Sequence, residues 1–161
     1  MASRPNQIWS WDISKLPTRT PRLYLNLYQI LDLKARFPIA WMISRKENAA
    51  LAMHLFRQAL ERYDIQPEQL IVHQDRGAPM IADSYRDFLD KYGVRRSYSR
   101  PRVSNDNPYS ESFFKTVKFF PNYPRRFDGI ELPGPFWICV GGRRLRRGSV
   151  VTGDPNMLGP A

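Results

Sequence analysis

The chain has 161 residues, 42% of them hydrophobic and 13% aromatic, which is enough to bury one core and argues for a single globular domain. Lysine and arginine number 25 against 15 acids, and a formal net charge of +10 points to a polyanionic partner, nucleic acid first, although a ribosomal or membrane-surface protein would carry the same sign. The single Cys139 excludes an internal disulfide, and no N-terminal apolar segment reads as a signal peptide or membrane span, so a reducing cytoplasm is the expected compartment.

Residues 1–7 are polar, carry Pro5 and read as a linker. Ile8-Trp9-Ser10-Trp11-Asp12-Ile13 follows as a short strand rich in aromatic and β-branched residues, with an acid set inside it. After turn residues near Pro17 and Pro21, Arg22 to Leu33 alternates and then becomes continuously apolar, as a central strand does, and Phe37 to Ser44 supplies a third. The short connections predict an antiparallel meander, because parallel neighbours need a crossover of about a dozen residues. Between Glu47 and Tyr63 the apolar residues Ala52, Leu55, Phe56, Ala59 and Leu60 follow helical spacing, with Glu47 near the start. Leu70 to His73 is a short apolar strand that delivers Gln74-Asp75-Arg76-Gly77 at its C-terminal end, where ligands gather in open α/β sheets. Ile81 to Tyr92 predicts a second amphipathic helix closed by Gly93, and Val94 to Ser97 a fifth strand.

The next stretch, NDNPYSESFFKTVKFF over 105–120, predicts a helix with Asn107 as N-cap and Pro108 at the first helical position. At about 100° per residue, Glu111, Lys115 and Lys118 share one side, while Phe113, Val117 and Phe120 gather on the other. A Glu four residues before a Lys is ordinarily a helix-stabilising ion pair and nothing more. Between Arg95 and Arg126, however, eight Lys or Arg face two acids, so the basic excess is concentrated around this helix. Beyond Glu131 the chain turns rich in Gly, Pro and Arg without amphipathic period, and residues 132–161 read as a disordered tail.

The pattern is thus a strand aspartate, Asp12, a second aspartate at the end of a later strand, Asp75, and a helical glutamate, Glu111, with thirty-five residues between the last two. Magnesium takes oxygen ligands and uses one or two carboxylates, so three convergent acids suffice for two ions. In phosphodiester chemistry one ion activates the attacking oxygen and the other stabilises the leaving one. Like charges gathered in this way are tolerable only with a bound cation or a proton.

Four blocks carry a resemblance: RPNQIWSWDIS (4–14), YQILDLKARFPIAWM (28–42), IVHQDRGAPM (71–80) and SRPRVSNDNPYSESFFKTVKFFPNYPRRF (99–127). Together with the thirty-five-residue gap they resemble the catalytic core of DDE transposases and retroviral-type integrases, most of all the transposases of IS3-like bacterial insertion sequences. The resemblance implies an α/β fold of ribonuclease H-like type, a five-stranded mixed sheet flanked by helices, with Asp12, Asp75 and Glu111 as catalytic metal ligands for two Mg2+ or Mn2+ ions. It implies further that Lys115 and Lys118 touch DNA phosphates and that Asn105 and Asn107 border the site. The implied partners are DNA, as element ends and target, and further copies of the chain when active. No membrane is implied, and the setting is the bacterial cytoplasm, at the nucleoid when DNA is bound.

Relatives continue past the Phe127 region with an amphipathic closing helix, where this sequence runs into LPGPFWICVGGRRLRRGSVV. The expected organisation is therefore a linker over 1–7, a catalytic core over 8–131 without its last helix, and a disordered or frameshifted tail over 132–161. Two rivals remain on the residues alone: a noncatalytic remnant that only binds DNA, and an RNA-cleaving hydrolase on the same fold, which fits the acids but not the four blocks. Asp32 reads as structural, His73 as a packing residue, and the tryptophans Trp9, Trp11 and Trp41 as core. With two histidines and one cysteine there is no zinc site to build.

Overall fold

The structure is a computed structural model that describes residues 2–100 together with Ser112, Phe114, Lys115, 125–127 and the backbone of 150–152. The elements follow in the order β1 (Ile8–Pro17), β2 (Tyr24–Asp32), β3 (Phe37–Ser44), α1 (Ala49–Arg62), β4 (Ile71–Gln74), α2 (Ala78–Ile81), α3 (Asp83–Lys91), β5 (Arg95–Tyr98) and β6 (Val150–Thr152). They build one mixed sheet in the order β5-β4-β1-β2-β3-β6. The predicted meander is present: β1, β2 and β3 pair antiparallel. The chain then crosses over through α1, so that β4 joins β1 and β5 joins β4 in parallel. To the five expected strands β6 adds a short sixth, parallel to β3.

β1 runs four residues further than the aromatic run indicated, because Leu16 is buried and the pairing with β2 holds as far as Pro17 opposite Tyr24. The turn from β2 into β3 is organised by Asp32. Its carboxylate, 1% exposed, accepts the backbone N–H of Asn6 at 2.6 Å, Lys34 at 2.8 Å and Ala35 at 2.7 Å. These bonds account for an acid inside a buried strand and give it a structural task.

α1 begins on Asn48, whose side chain accepts the N–H of Leu51 at 2.9 Å. Glu47, near the start as expected, lies just before this cap and pairs with Lys15 of β1. The predicted helix over 81–92 is present as α3, starting two residues later, and the short α2 precedes it. Ala82 is extended (φ −61°, ψ 136°), so the four-residue α2 ends before α3 starts with Asp83 in its first turn. Ile81, counted by periodicity into the buried face, is 48% exposed. Gly93 closes α3 with φ +64°, and a Cβ there would stand 2.8 Å from the Cβ of Pro67, so a larger residue is excluded by both backbone and neighbour.

The main core lies on the helix-bearing face. Trp9, Trp11, Tyr28, Ile30 and Met42 of the sheet pack with Leu55, Phe56, Tyr85 and Leu89 of α1 and α3. Leu25, Leu27, Leu31, Trp41 and Ile43 are buried as well but stand outside that cluster, so the opposite face of the sheet is covered too. Among the described residues no helix is long and apolar enough to cross a membrane.

Replacing Asp32 with alanine strands three backbone donors and should lower the unfolding free energy by about 3 kcal/mol, read from the denaturant midpoint. Tyr28 supplies a pH test: burial pushes its hydroxyl from 10.0 up to about 12, so the unfolded chain releases the proton first as pH rises. Stability should be flat up to the ordinary phenol range and fall between 10.0 and about 12, and Tyr28→Phe should make that fall shallower in denaturation curves taken at each pH.

Candidate active site

In the parallel pairing of β1 with β4, Ile8, Trp9 and Ser10 stand opposite Ile71, Val72 and His73. Trp9 and Val72 face the helices, so Ser10 and His73 face the other way. Continuing the register by two residues puts Trp11 level with Gln74 and Asp12 level with Asp75. The first of these pairs is verified by a side-chain bond, Trp11 Nε1 donating to Gln74 Oε1 at 2.6 Å on the helix face. Asp12 and Asp75 therefore share the opposite face, on adjacent strands, where β4 ends and β1 carries on beside β2. Both carboxylates are partly exposed.

The turn after β4 is shaped around Asp75. Its Oδ1 accepts the N–H of Gly77 at 2.9 Å, and a Cβ on Gly77 would meet that same oxygen at 3.2 Å and the sulfur of Met80 at 2.9 Å. Glycine lets the chain double back under the carboxylate. Next to it Arg76 lies over the ring of Tyr98, 5.3 Å from the centroid, which sets an exposed guanidinium beside the acid. His73 Nδ1 is 3.1 Å from Ser97 Oγ, so β4 and β5 are linked by side chains on this face also. Asp12 has its Oδ1 bonded to the N–H of Ile13 at 2.8 Å and stands cross-strand from Gln29. The Gln29 side chain is buried, and among the described residues neither its nitrogen nor its oxygen has a hydrogen-bond partner. An unmet buried amide costs about 1–3 kcal/mol and is the kind of defect that functional sites retain.

On the other side of the sheet the strand ends are tied by a polar knot that sequence reading missed. Gln74 is fully buried; its Oε1 accepts from Trp11 Nε1 at 2.6 Å and from Tyr85 Oη at 2.9 Å, and its Nε2 donates to the Met80 carbonyl at 3.2 Å. Its own carbonyl accepts the N–H of Ser99 at 2.9 Å. Burial pushes the Tyr85 hydroxyl well above the ordinary phenol value, so it remains a donor. The available signal was a glutamine closing an apolar strand, read instead as the first residue of a loop.

Lys115 is helical and exposed beside Phe114, which is buried and which periodicity had left unassigned. Glu111, Lys118, Asn105 and Asn107, the N-cap at Asn107 and most of the 132–161 tail lie outside the described residues. Among those described, no three His, Cys, Asp or Glu side chains converge. The two aspartates nevertheless present an oxygen-only donor set, level on one face and open to solvent, which suits a hard divalent cation.

A family model described as the integrase core domain matches residues 2–104. The transposase for insertion sequence element IS904 of Lactococcus lactis subsp. lactis is 34% identical over 117 residues, covering 73% of this chain and 45% of its own length. Transposase InsF for insertion sequence IS3A of Escherichia coli K12 is 38% identical over 117 residues, covering 73% of this chain and 40% of its own. The chain thus spans less than half the length of these curated relatives. Among solved structures, a simian T-cell lymphotropic virus intasome chain superposes with a TM-score of 0.58 at 16% identity, over 74% of this chain and 44% of that one. The HTLV-2 integrase catalytic core domain, solved in complex with magnesium, gives 0.56 at 18% identity, over 78% of this chain and 80% of its own. The BIV integrase catalytic core gives 0.54 at 13%, over 70% and 67%. At these identities the likeness concerns the fold, which is ribonuclease H-like. With a family match that takes in β1 to β5 and both aspartates, the chain belongs to the integrase core domain family.

Proposed function

We propose that the chain is the catalytic core of an insertion-sequence transposase, which cuts DNA strands at the element ends and joins the freed 3′ hydroxyl to target DNA. The observation that carries this reading is the placement of Asp12 and Asp75 level on one face at the end of β4, within a segment matched to the integrase core. The core is taken to run over 8–131, with Asp12, Asp75 and Glu111 together holding two Mg2+ or Mn2+ ions. Bound there, the cations would lower the pKa of the attacking water or hydroxyl and stabilise the leaving oxygen of an in-line displacement.

The chain's own residues hold and orient. The strand pairing keeps the two aspartates at a fixed separation, and the Asp75–Gly77 bond occupies one carboxylate oxygen, leaving the other for a ligand. Lys115 and Lys118, one and two turns after Glu111, are assigned to DNA phosphates near the scissile bond, and Asn105 and Asn107 to the border of the site. Arg76, held over Tyr98, adds positive charge next to Asp75. Two DNA ends have to be held at once, so the active form is taken to be a homo-multimer.

Purified chain should nick a labelled DNA duplex in magnesium or manganese. Asp75→Asn should abolish that cleavage and leave duplex binding intact or slightly tighter, because a ligand and a repulsive charge are removed together. Persistent cleavage in the folded variant would contradict the assignment, and binding without cleavage by the parent chain would favour a DNA-binding remnant. Lys115→Ala should reduce the slope of log K against log[salt] by about one unit if it neutralises one phosphate, measured by fluorescence anisotropy across a salt series.

A further inference from the structure

We infer that Gln74 is a positioning residue for the metal site, acting through a buried brace that reaches both carboxylates from behind the sheet. The inference rests on the reading of Asp12 and Asp75 as metal ligands. Trp11 immediately precedes Asp12 and Gln74 immediately precedes Asp75, and the two side chains are bonded at 2.6 Å. Because side chains alternate across a sheet, a bond made on the helix face fixes the backbones whose next residues point to the opposite face. The separation of the aspartates is thereby set by a contact that neither of them makes.

Gln74 is suited to that work by its valences. Its amide oxygen takes two donors from different elements, Trp11 of β1 and Tyr85 of α3, and its amide nitrogen reaches the Met80 carbonyl at the end of the turn that cradles Asp75. The backbone carbonyl takes the N–H of Ser99, just beyond β5. The site end of β1, β4, β5, α2 and α3 is thus gathered on one residue that is fully buried. A hydrophobic residue of similar size would fill the space without setting any of these distances. Aromatic packing stiffens the brace further, with the Trp11 ring 5.4 Å from Phe56 and 5.5 Å from Tyr85.

The arrangement makes no contact with metal or DNA, so its signature is a shift in metal affinity without a shift in DNA affinity. Outer-shell partners of metal ligands cost about 10–100-fold in metal affinity when removed. The test is a thermal melt of the full chain titrated with magnesium chloride in the absence of DNA, read as the magnesium concentration that gives half of the maximal stabilisation. Trp11→Phe keeps the ring and removes the donor, and it should raise that concentration about tenfold, with Gln74→Leu raising it further. Gln74→Glu retains the acceptor for Trp11 and Tyr85 and should recover part of the loss. Anisotropy with a labelled duplex in EDTA should be unchanged in each.

Asp32→Ala serves as the control for lost stability alone, since it removes buried bonds at the β2–β3 turn in which neither aspartate takes part, and it should leave the midpoint where it was. Should Gln74→Leu fail to fold, Trp11→Phe carries the comparison. A folded Trp11→Phe with the parent midpoint, alongside an Asp75→Asn variant whose magnesium response is lost, overturns the brace and leaves the metal site standing. A parent response that Asp75→Asn does not alter overturns the metal reading, and the brace with it.

Discussion

The pairing of β4 with β1 is parallel, so β4 has to be reached by a crossover, and the crossover carries α1 over one face of the sheet. That single topological step divides the molecule's chemistry. The helix face becomes a closed aromatic core in which Trp11 meets Phe56 edge to face and Tyr85 at a tilt, while the other face keeps two acids where β4 ends beside β1. A register slip of one residue would exchange the two sets, driving carboxylates into the core and tryptophans toward solvent, and the burial energy of two fully enclosed indoles stands against it. The position of the candidate site is therefore enforced by residues that take no part in it.

The acids of this chain do different jobs according to what their oxygens meet. Asp32 spends its lone pairs on three backbone N–H groups and is closed off from solvent, which makes it an anchor for the β2–β3 turn. Asp75 has one local bond to the Gly77 N–H and remains partly exposed, which leaves capacity for a ligand. Glu47, just ahead of α1, compensates Lys15 of β1. The same functional group is thus structural, available or merely charge-balancing as a result of hydrogen-bond geometry alone.

Much of this was legible in the sequence, for physical reasons that can be named. The near-continuous apolar runs of β2 and β3, buried on both faces, and the 3.6-residue spacing of Ala52, Leu55, Phe56 and Ala59 are burial patterns, and burial is what residue type reports most directly. The break at Ala82 was hidden because Ile81 is apolar yet exposed, and apolarity was taken for burial. The knot at Gln74 was hidden for the converse reason: a polar residue at a strand end reads as solvent-facing, and only a tertiary partner such as the Trp11 indole makes its burial affordable. Asp12 and Asp75 were identified from spacing and resemblance, whereas their common face depends on a register that no local pattern encodes.

The two strands that bear the aspartates are unequal. β1 is paired along its length with β2 and over its first residues with β4, in the middle of the sheet, while β4 has four residues and only the equally short β5 beyond it. Strands near a short edge open locally at lower free energy than inner ones. Amide exchange around Asp12 then reports global unfolding, and exchange around Asp75 a smaller excursion of β4, β5 and the turn between Gln74 and Met80. The two candidate ligands thus sit on strands of unequal security, one held on both sides and one a single short strand from the sheet edge among the described residues.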